Sequence, residues 1–327
     1  MTASNVLRGA QRNGRVLFSE GTARKVTRAA RKIGYVPNRA ARSIRTRSTG
    51  VTGFVTSNYS KASGLVEGVP IYPFLVGLSH GLSATGRHVA LIELDELDLK
   101  KKTTPRVLEE NFLDALVIHG VDSQNASRFA PARIPTIYWD SELKKTENCI
   151  QRDEFSVGES VTRRLLELGH TRIAFHIGSG ANWDAYQKNR PTHFSFPQRY
   201  EGYASALRER ALPLRRISGY EPERLARQIA RHQITAVVAS NAFVFASALA
   251  VLGKTIPRDF SLLSCDVEAG VFNREGLGGA LYNRYEAGRV AAQMIIQRLE
   301  SQGASVPSKV WPTKISDGST AAPIRTP

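Results

Sequence analysis

Gly34-Tyr35-Val36-Pro37-Asn38-Arg39-Ala40-Ala41-Arg42-Ser43-Ile44-Arg45-Thr46-Arg47-Ser48-Thr49-Gly50 divides the chain into two unlike parts. Upstream it is short, helical and very basic; downstream it alternates apolar strand-like runs with amphipathic helices. Gly34 suits the left-handed position that closes a helix. Pro37 cannot continue that helix and holds Val36 extended. Asn38 offers its side-chain oxygen as the N-cap of a new helix, Arg39 to Arg45. That helix carries Arg39, Arg42 and Arg45, with Ile44 as its one large apolar side chain. Two turns are too few to be stable alone in water. The helix therefore needs a partner, and phosphates suit three arginines. The bland alternative is a basic linker with a nascent helix.

The charge is placed accordingly. Of a formal +16 over 327 residues, +11 lies in residues 1–50, where twelve Lys or Arg face the single acid Glu20. Such a local excess is the footprint of nucleic-acid binding. A solvated basic tail is the alternative, and helical patterning argues against it. Ser19 is a good N-cap, Glu20 complements the helix dipole, and Ala23, Val26, Ala30 and Ile33 recur at helical spacing. Arg24, Lys25, Arg28, Arg31 and Lys32 fill much of the rest.

The length implies two or three folded units. No apolar run is long enough to span a membrane, and a polar, basic stretch follows Met1, unlike a signal peptide. Cys149 and Cys265 flank or join apolar runs and read as buried thiols, which fits a reducing cytoplasm. From Val51 the pattern predicts strands at 51–56, 87–92, 115–119, 135–140, 172–177, 236–240, 261–266, 280–283 and 310–315. Helices are predicted at 74–85, 105–111, 155–168, 199–210, 221–232, 243–252 and 285–301. Repeated β-then-α units imply an α/β fold with parallel sheets and helices on both faces.

Gly34-Tyr-Val-Pro-Asn-Arg-Ala-Ala-Arg-Ser-Ile-Arg45 resembles the hinge of the LacI/GalR family of bacterial transcription regulators. Thr2-Ala-Ser-Asn-Val-Leu-Arg-Gly9 resembles that family's recognition helix, and the helix capped by Ser19, with Ala23, Val26, Ala30 and Ile33 on its apolar face, resembles its third headpiece helix. Ala10–Leu17 is longer than the usual connector. Leu166-Glu-Leu-Gly-His-Thr-Arg-Ile-Ala-Phe175 resembles the strongest effector-domain signature. Gly318–Pro323 resembles the closing segment, although Asp317 stands where Arg is usual. The resemblance implies a helix-turn-helix headpiece at 1–36, incomplete because Met1 falls near the start of the recognition helix. A hinge helix and linker follow at 37–48. An effector domain of two Rossmann-like, periplasmic-binding-protein-like subdomains takes 49–327. Three crossings put about 49–152 plus 278–303 in the first subdomain and 153–277 plus 304–327 in the second.

The same resemblance implies function. Double-stranded operator DNA is contacted by Thr2, Ser4, Asn5, Arg8, Asn38, Arg39, Arg42 and Arg45, with Ile44 as the wedge between base pairs. A homodimer is implied, with a small effector, a sugar or related metabolite, in the cleft beyond the strand ends. Phe74, Asp140, Arg199, Asn241 and Asp266 are its site. Carboxylates and an amide bond hydroxyls, and an arginine forks onto a carboxylate or two hydroxyls. For each Asp the plain alternative is a cap or loop salt bridge, and for Arg199 a surface cation. Ala242 removes a usual carboxylate. Trp183, Tyr186, Phe194 and Phe196 belong to a long stretch, 178–198, that suits a surface loop better than a cleft lid.

Enzyme signals are weak. Gly77-Leu-Ser-His-Gly81 matches a nucleophile elbow, but Ser79 falls inside a predicted helix. No metal spacing and no cofactor motif occurs among the histidines and cysteines. The sequence thus reads as a non-catalytic, cytoplasmic regulator. A ligand-binding protein that has lost specific DNA binding through headpiece truncation is the alternative.

Overall fold

The computed structural model describes residues 3–7, 11–12, 15–16, 18–36, 38, 43–44, 46–56, 71–94, 103–120, 128–131, 133–141, 146–178, 181–188, 194–239, 244–270 and 276–324. The chain divides into two compact units, Met1–Gly50 and Val51–Pro327.

In the first unit α1 (Ala3–Leu7) packs against α2 (Glu20–Lys32) and buries Val6. Between them, where the sequence suggests only a lengthened connector, β1 (Gln11–Arg12) and β2 (Arg15–Val16) form an antiparallel hairpin. Asn13-Gly14 separates them, the dipeptide most favoured between paired strands. The Ser19 side chain caps α2 by accepting from the Thr22 amide at 3.2 Å. At the other end Gly34 has φ 65°, the Tyr35 amide donates to the Ala30 carbonyl at 2.9 Å, and the Gly34 amide donates to that of Arg31 at 3.2 Å. This double bond needs a left-handed residue, and glycine adopts that conformation without strain. Ser43, Ile44 and Thr46 are helical. Arg39, Arg42 and Arg45 of the expected hinge helix lie outside the described residues, as do Thr2 and Arg8.

The second unit begins with β3 (Val51–Thr56), α3 (Ile71–Ser83), β4 (His88–Glu93), α4 (Arg106–Glu109), β5 (Ala115–His119), β6 (Thr136–Trp139) and β7 (Cys149–Arg152). There follow α5 (Glu154–Glu167), β8 (Ile173–His176), α6 (Ala181–Gln187), α7 (Ser195–Arg208), β9 (Arg215–Ile217), α8 (Pro222–Arg231), β10 (Ala236–Ala239), α9 (Val244–Val251), β11 (Ser261–Glu268) and β12 (Gly279–Tyr282). The unit ends with α10 (Arg284–Glu300), β13 (Lys309–Trp311) and β14 (Lys314–Ser316). One sheet has the order β13-β7-β6-β5-β3-β4, all parallel; the other has β14-β12-β11-β10-β8-β9, with only β14 antiparallel. Helices cover both faces, so strand residues are apolar on both sides. On β5, Ala115 and Val117 face the core under α3 and α10, whereas Leu116 and Ile118 join the core on the opposite face. On β10, Ala236 and Val238 pack with α5 and α7, and Val237 and Ala239 with α8 and α9.

Two subdomain boundaries need correction. Residues 279–282 pair with β11 in the second sheet, so the chain returns to the first subdomain after Tyr282, not at 278. Residues 309–311 pair with β7 in the first sheet, so 304–327 is not one block. The single strand expected at 310–315 is two strands in different sheets, broken at Pro312, which has no amide to donate. Asp317, the departure from the closing motif, accepts the fork of Arg164 at 2.8 and 2.6 Å.

Two helix pairs lie so close that only glycine fits between them. A Cβ on Gly288 of α10 would sit 2.1 Å from the Phe74 carbonyl oxygen of α3. One on Gly158 of α5 would sit 2.0 Å from that of Arg199 on α7. These approaches set the depth of two expected site residues.

Candidate functional site

Asp140 and Asp266 stand near the carboxyl ends of β6 and β11, on either side of the passages between the subdomains. Asp140 has φ 47°, a left-handed conformation that Asp tolerates better than most residues. Its Oδ2 lies 3.9 Å from His119 Nε2 at the end of β5. The His119 ring stacks on Trp139 with centroids 4.4 Å apart. Its Nδ1 shares a 3.1 Å hydrogen bond with the Thr56 hydroxyl. Trp139 stacks in turn on Phe74 at 3.6 Å, nearly parallel. Phe74 is therefore fully buried, which corrects the expectation that it lines the cleft. The ring gains more by stacking than by facing water.

Arg199 and Asp266 do come together, with Arg199 Nη2 3.9 Å from Asp266 Oδ2. Each is already engaged. Arg199 donates from Nε and Nη2 to both oxygens of Glu154 at 2.7 and 3.1 Å. Asp266 accepts from Arg284 Nη2 at 2.7 and 2.6 Å and from Arg152 Nη1 at 3.1 Å. Arg284 spends Nη1 and its amide on Glu268, and Arg152 reaches the Cys265 carbonyl. Three arginines and three acids thus balance in a nearly dry space. Burial alone would raise the Asp266 pKa; Arg284, Arg152 and Arg199 outweigh it and hold the carboxyl below its usual range. Burial opposes the charge of Arg199 too, and the carboxylates of Glu154 and Asp266 reverse the balance and raise its pKa. Arg199 as a surface cation is ruled out.

Tyr282 joins the halves. Its hydroxyl accepts from Trp139 Nε1 at 2.7 Å, and the Arg152 and Arg284 guanidiniums lie over its ring at 4.9 and 4.7 Å. A continuous chain of contacts runs from Phe74 through Trp139, Tyr282 and Arg284 to Asp266 and Arg199. The sequence reading missed Arg152, Glu154, Glu268, Tyr282 and Arg284. Arg284 left a trace: a cation follows the N-cap Asn283, where the helix dipole disfavours it unless acids compensate. The sequence pattern ends that strand at Asp266, two residues short of Glu268.

Asn241 and Ala242 lie outside the described residues. Trp183 and Tyr186 of α6 pack against Tyr200 and Phe196 of α7, with Arg216 over the Trp183 ring at 4.1 Å. The stretch 178–198 is thus not the expected surface loop: it contains α6 and the start of α7, and these rings are packing surface on the second core. Ser79 is exposed in the middle of α3, without the strand-to-helix turn that a nucleophile elbow requires. Cys149 and Cys265 are free and buried, and burial pushes the Cys265 thiol up to about 12.

Residues 162–321 match the model of a periplasmic binding protein-like domain. The HTH-type transcriptional regulator CelR of Thermobifida fusca is 28% identical over 172 residues, 51% of this chain and 49% of that regulator. The chain thus spans about half the length of that relative. The catabolite control protein A of Streptococcus mutans is 22% identical over 89% of this chain and 86% of its own. The domain match includes the effector-domain signature at Leu166–Phe175. The chain is thus similar to LacI/GalR-type transcription regulators. Its fold agrees with the solved lac repressor dimer bound to operator and the anti-inducer ONPF, at TM-score 0.73 and 16% identity over 98% of this chain and 94% of that one. Among the described residues no group of three His, Cys, Asp or Glu could hold a metal ion, and no helix is long and apolar enough to cross a membrane.

Proposed function

We propose that this LacI/GalR-type protein is a cytoplasmic transcriptional regulator that binds operator DNA as a dimer and is switched by a small effector in the cleft between its subdomains. The observation that carries the switch is the Phe74–Trp139–Tyr282–Arg284–Asp266 chain of contacts. It spans the places where the polypeptide passes between subdomains, so a ligand that favours one cleft arrangement works against packed and ion-paired groups. Its free energy is then linked to the geometry presented to DNA.

DNA contact falls to residues 1–48. Thr2, Ser4, Asn5 and Arg8 on or beside α1 suit the groove. Asn38, Arg39, Arg42 and Arg45 suit the backbone. Ile44 is 83% exposed, as a wedge between base pairs must be. In the cleft, Asp140 and Asn241 remain the groups for an effector's hydroxyls, because Asp266 and Arg199 are committed to Arg284, Arg152 and Glu154. Sugars are the favoured class: the chain is similar to a sucrose operon repressor and a ribose operon repressor, and one similar structure is a CelR–cellobiose complex.

Selection from a pool of random duplexes tests the DNA half. A dimeric regulator enriches a two-fold-symmetric site bound about a thousandfold or more tighter than random DNA. Recovery of no common sequence, at low and moderate salt alike, rejects it.

A further inference from the structure

Outside the motifs of the family, the element without a role is the β1–β2 hairpin. Its register places Arg12 directly opposite Arg15. Like charges at directly opposed positions destabilise a ladder, and a two-residue ladder is too short to hold itself in water. No acid lies between Met1 and Ser19. The one acid of the unit, Glu20, is 3.9 Å from Arg24 and so is matched within α2. An arrangement that opposes two arginines and provides no carboxylate fits an external polyanion.

The chain fixes which polyanion. Three residues separate Leu7, the last of α1, from Gln11, so four residue steps span at most about 14 Å. The major groove is about 12 Å wide. Whenever α1 lies in that groove, the hairpin lies within reach of the phosphates along its edge.

We propose that the β1–β2 hairpin is a second DNA-contacting element, which seats Arg12 and Arg15 on phosphates flanking the groove that α1 enters. This rests on the reading of the first unit as DNA-binding. It adds to that reading a sequence-independent anchor, one that positions the protein without choosing bases. DNA lowers the repulsion between the two arginines, so binding and hairpin formation favour each other.

The test measures the affinity of the full chain for a mixed-sequence duplex by fluorescence anisotropy over a range of KCl concentrations. Wild type is compared with Arg12→Gln/Arg15→Gln and with Arg12→Lys/Arg15→Lys. Two lost phosphate contacts make the slope of log affinity against log salt shallower by about 1.8. They weaken binding roughly tenfold to a hundredfold at about 0.1 M salt. The Lys pair restores the slope, and the Gln pair melts no lower than wild type, because a repulsion has been removed. A Gln pair with wild-type slope and affinity overturns the proposal while leaving DNA binding intact. So does a weakening that the Lys pair shares and that accompanies a lower melting temperature, since that marks a structural role. Absence of any salt-dependent affinity in the wild type overturns the DNA-binding reading itself, and the hairpin's role with it.

Discussion

Arg284 and Asp266 meet through a single nitrogen: Nη2 of the arginine donates to both carboxylate oxygens, at 2.7 and 2.6 Å. Arg284 begins the helix by which the chain re-enters the first subdomain, and Asp266 belongs to the second. The ion pair therefore bridges one passage, and Arg152, which ends β7 before the first passage, meets the same carboxylate.

Removing one partner of such a pair leaves the other buried without its counter-charge. Arg284→Met strands Glu268 and leaves Asp266 with Arg152 and the more distant Arg199, and the expected loss is about 3–5 kcal/mol. Urea unfolding measures it. Because the groups act together, Arg284→Met/Asp266→Asn costs less than the sum of the single changes. Simple additivity would show that the network is not a unit.

Gly158→Ala forces a methyl group against the Arg199 carbonyl, where the ideal Cβ lies 2.0 Å away. Backbone cannot swing aside as a side chain can, so the cost is about 1–3 kcal/mol. Gly21→Ala is the contrasting change. It sits in exposed α2 with its nearest neighbour, Ser19 Oγ, at 3.9 Å, and gains about 0.5–1 kcal/mol of helix stability. Melting temperatures moving in the same direction would refute the close-approach explanation.

His170 ties the closing segment to the second sheet. Its Nδ1 meets Thr235 Oγ1 at 3.1 Å, and its Nε2 meets Ser261 Oγ at 2.9 Å and the Ala322 carbonyl at 3.2 Å. Burial lowers its pKa, partly offset by the Ala322 hydrogen bond. The folded state thus prefers the neutral ring, and the unfolded chain takes the proton first as pH falls. The stability contribution is complete above about pH 6.5 and declines as pH drops from there toward the folded-state value. Asp266, whose pKa is lowered, acts in a separate window: its contribution is present above about pH 4 and is lost below it. Denaturant midpoints across the two ranges should show His170→Asn flattening only the upper decline. An unchanged slope there assigns that decline to another group.

Ile44→Ala removes the exposed apolar side chain of the hinge without touching its charges. Specific DNA affinity should fall, while affinity for random duplex stays near the wild-type value, because only the specific complex unstacks a base step. Competition titrations against the selected site and random DNA separate the two. Equal weakening of both removes the wedge from the mechanism.

Much of the architecture was legible because it follows from local rules. Gly34 marks a helix end by its freedom at positive φ, and the two-sided apolar strands β5 and β10 announce a covered parallel sheet. What escaped depends on partners distant in sequence. β7 and β9, Cys-Ile-Gln-Arg and Arg-Arg-Ile, are short and polar, and become strands only through the neighbours that bind them. Val310–Ile315 reads as one run although its halves join different sheets. Asp266 and Arg199 enter the sequence reading as two of the five site residues that the family resemblance implies. Their commitment to Arg284, Arg152 and Glu154 was invisible, because those partners come from three other elements. The Asn13-Gly14 hairpin signal, by contrast, is local and legible in the sequence.

The most direct measurement is reciprocal linkage between cleft and DNA. Mono- and disaccharides, cellobiose and ribose among them, are screened by thermal shift, and each binder is then added to the full chain titrated with its selected duplex. Regulation through the cleft predicts that a binder changes DNA affinity about five- to 150-fold, and that the duplex changes the binder's affinity by the same factor. A sugar that binds the protein and leaves DNA affinity unchanged would contradict it.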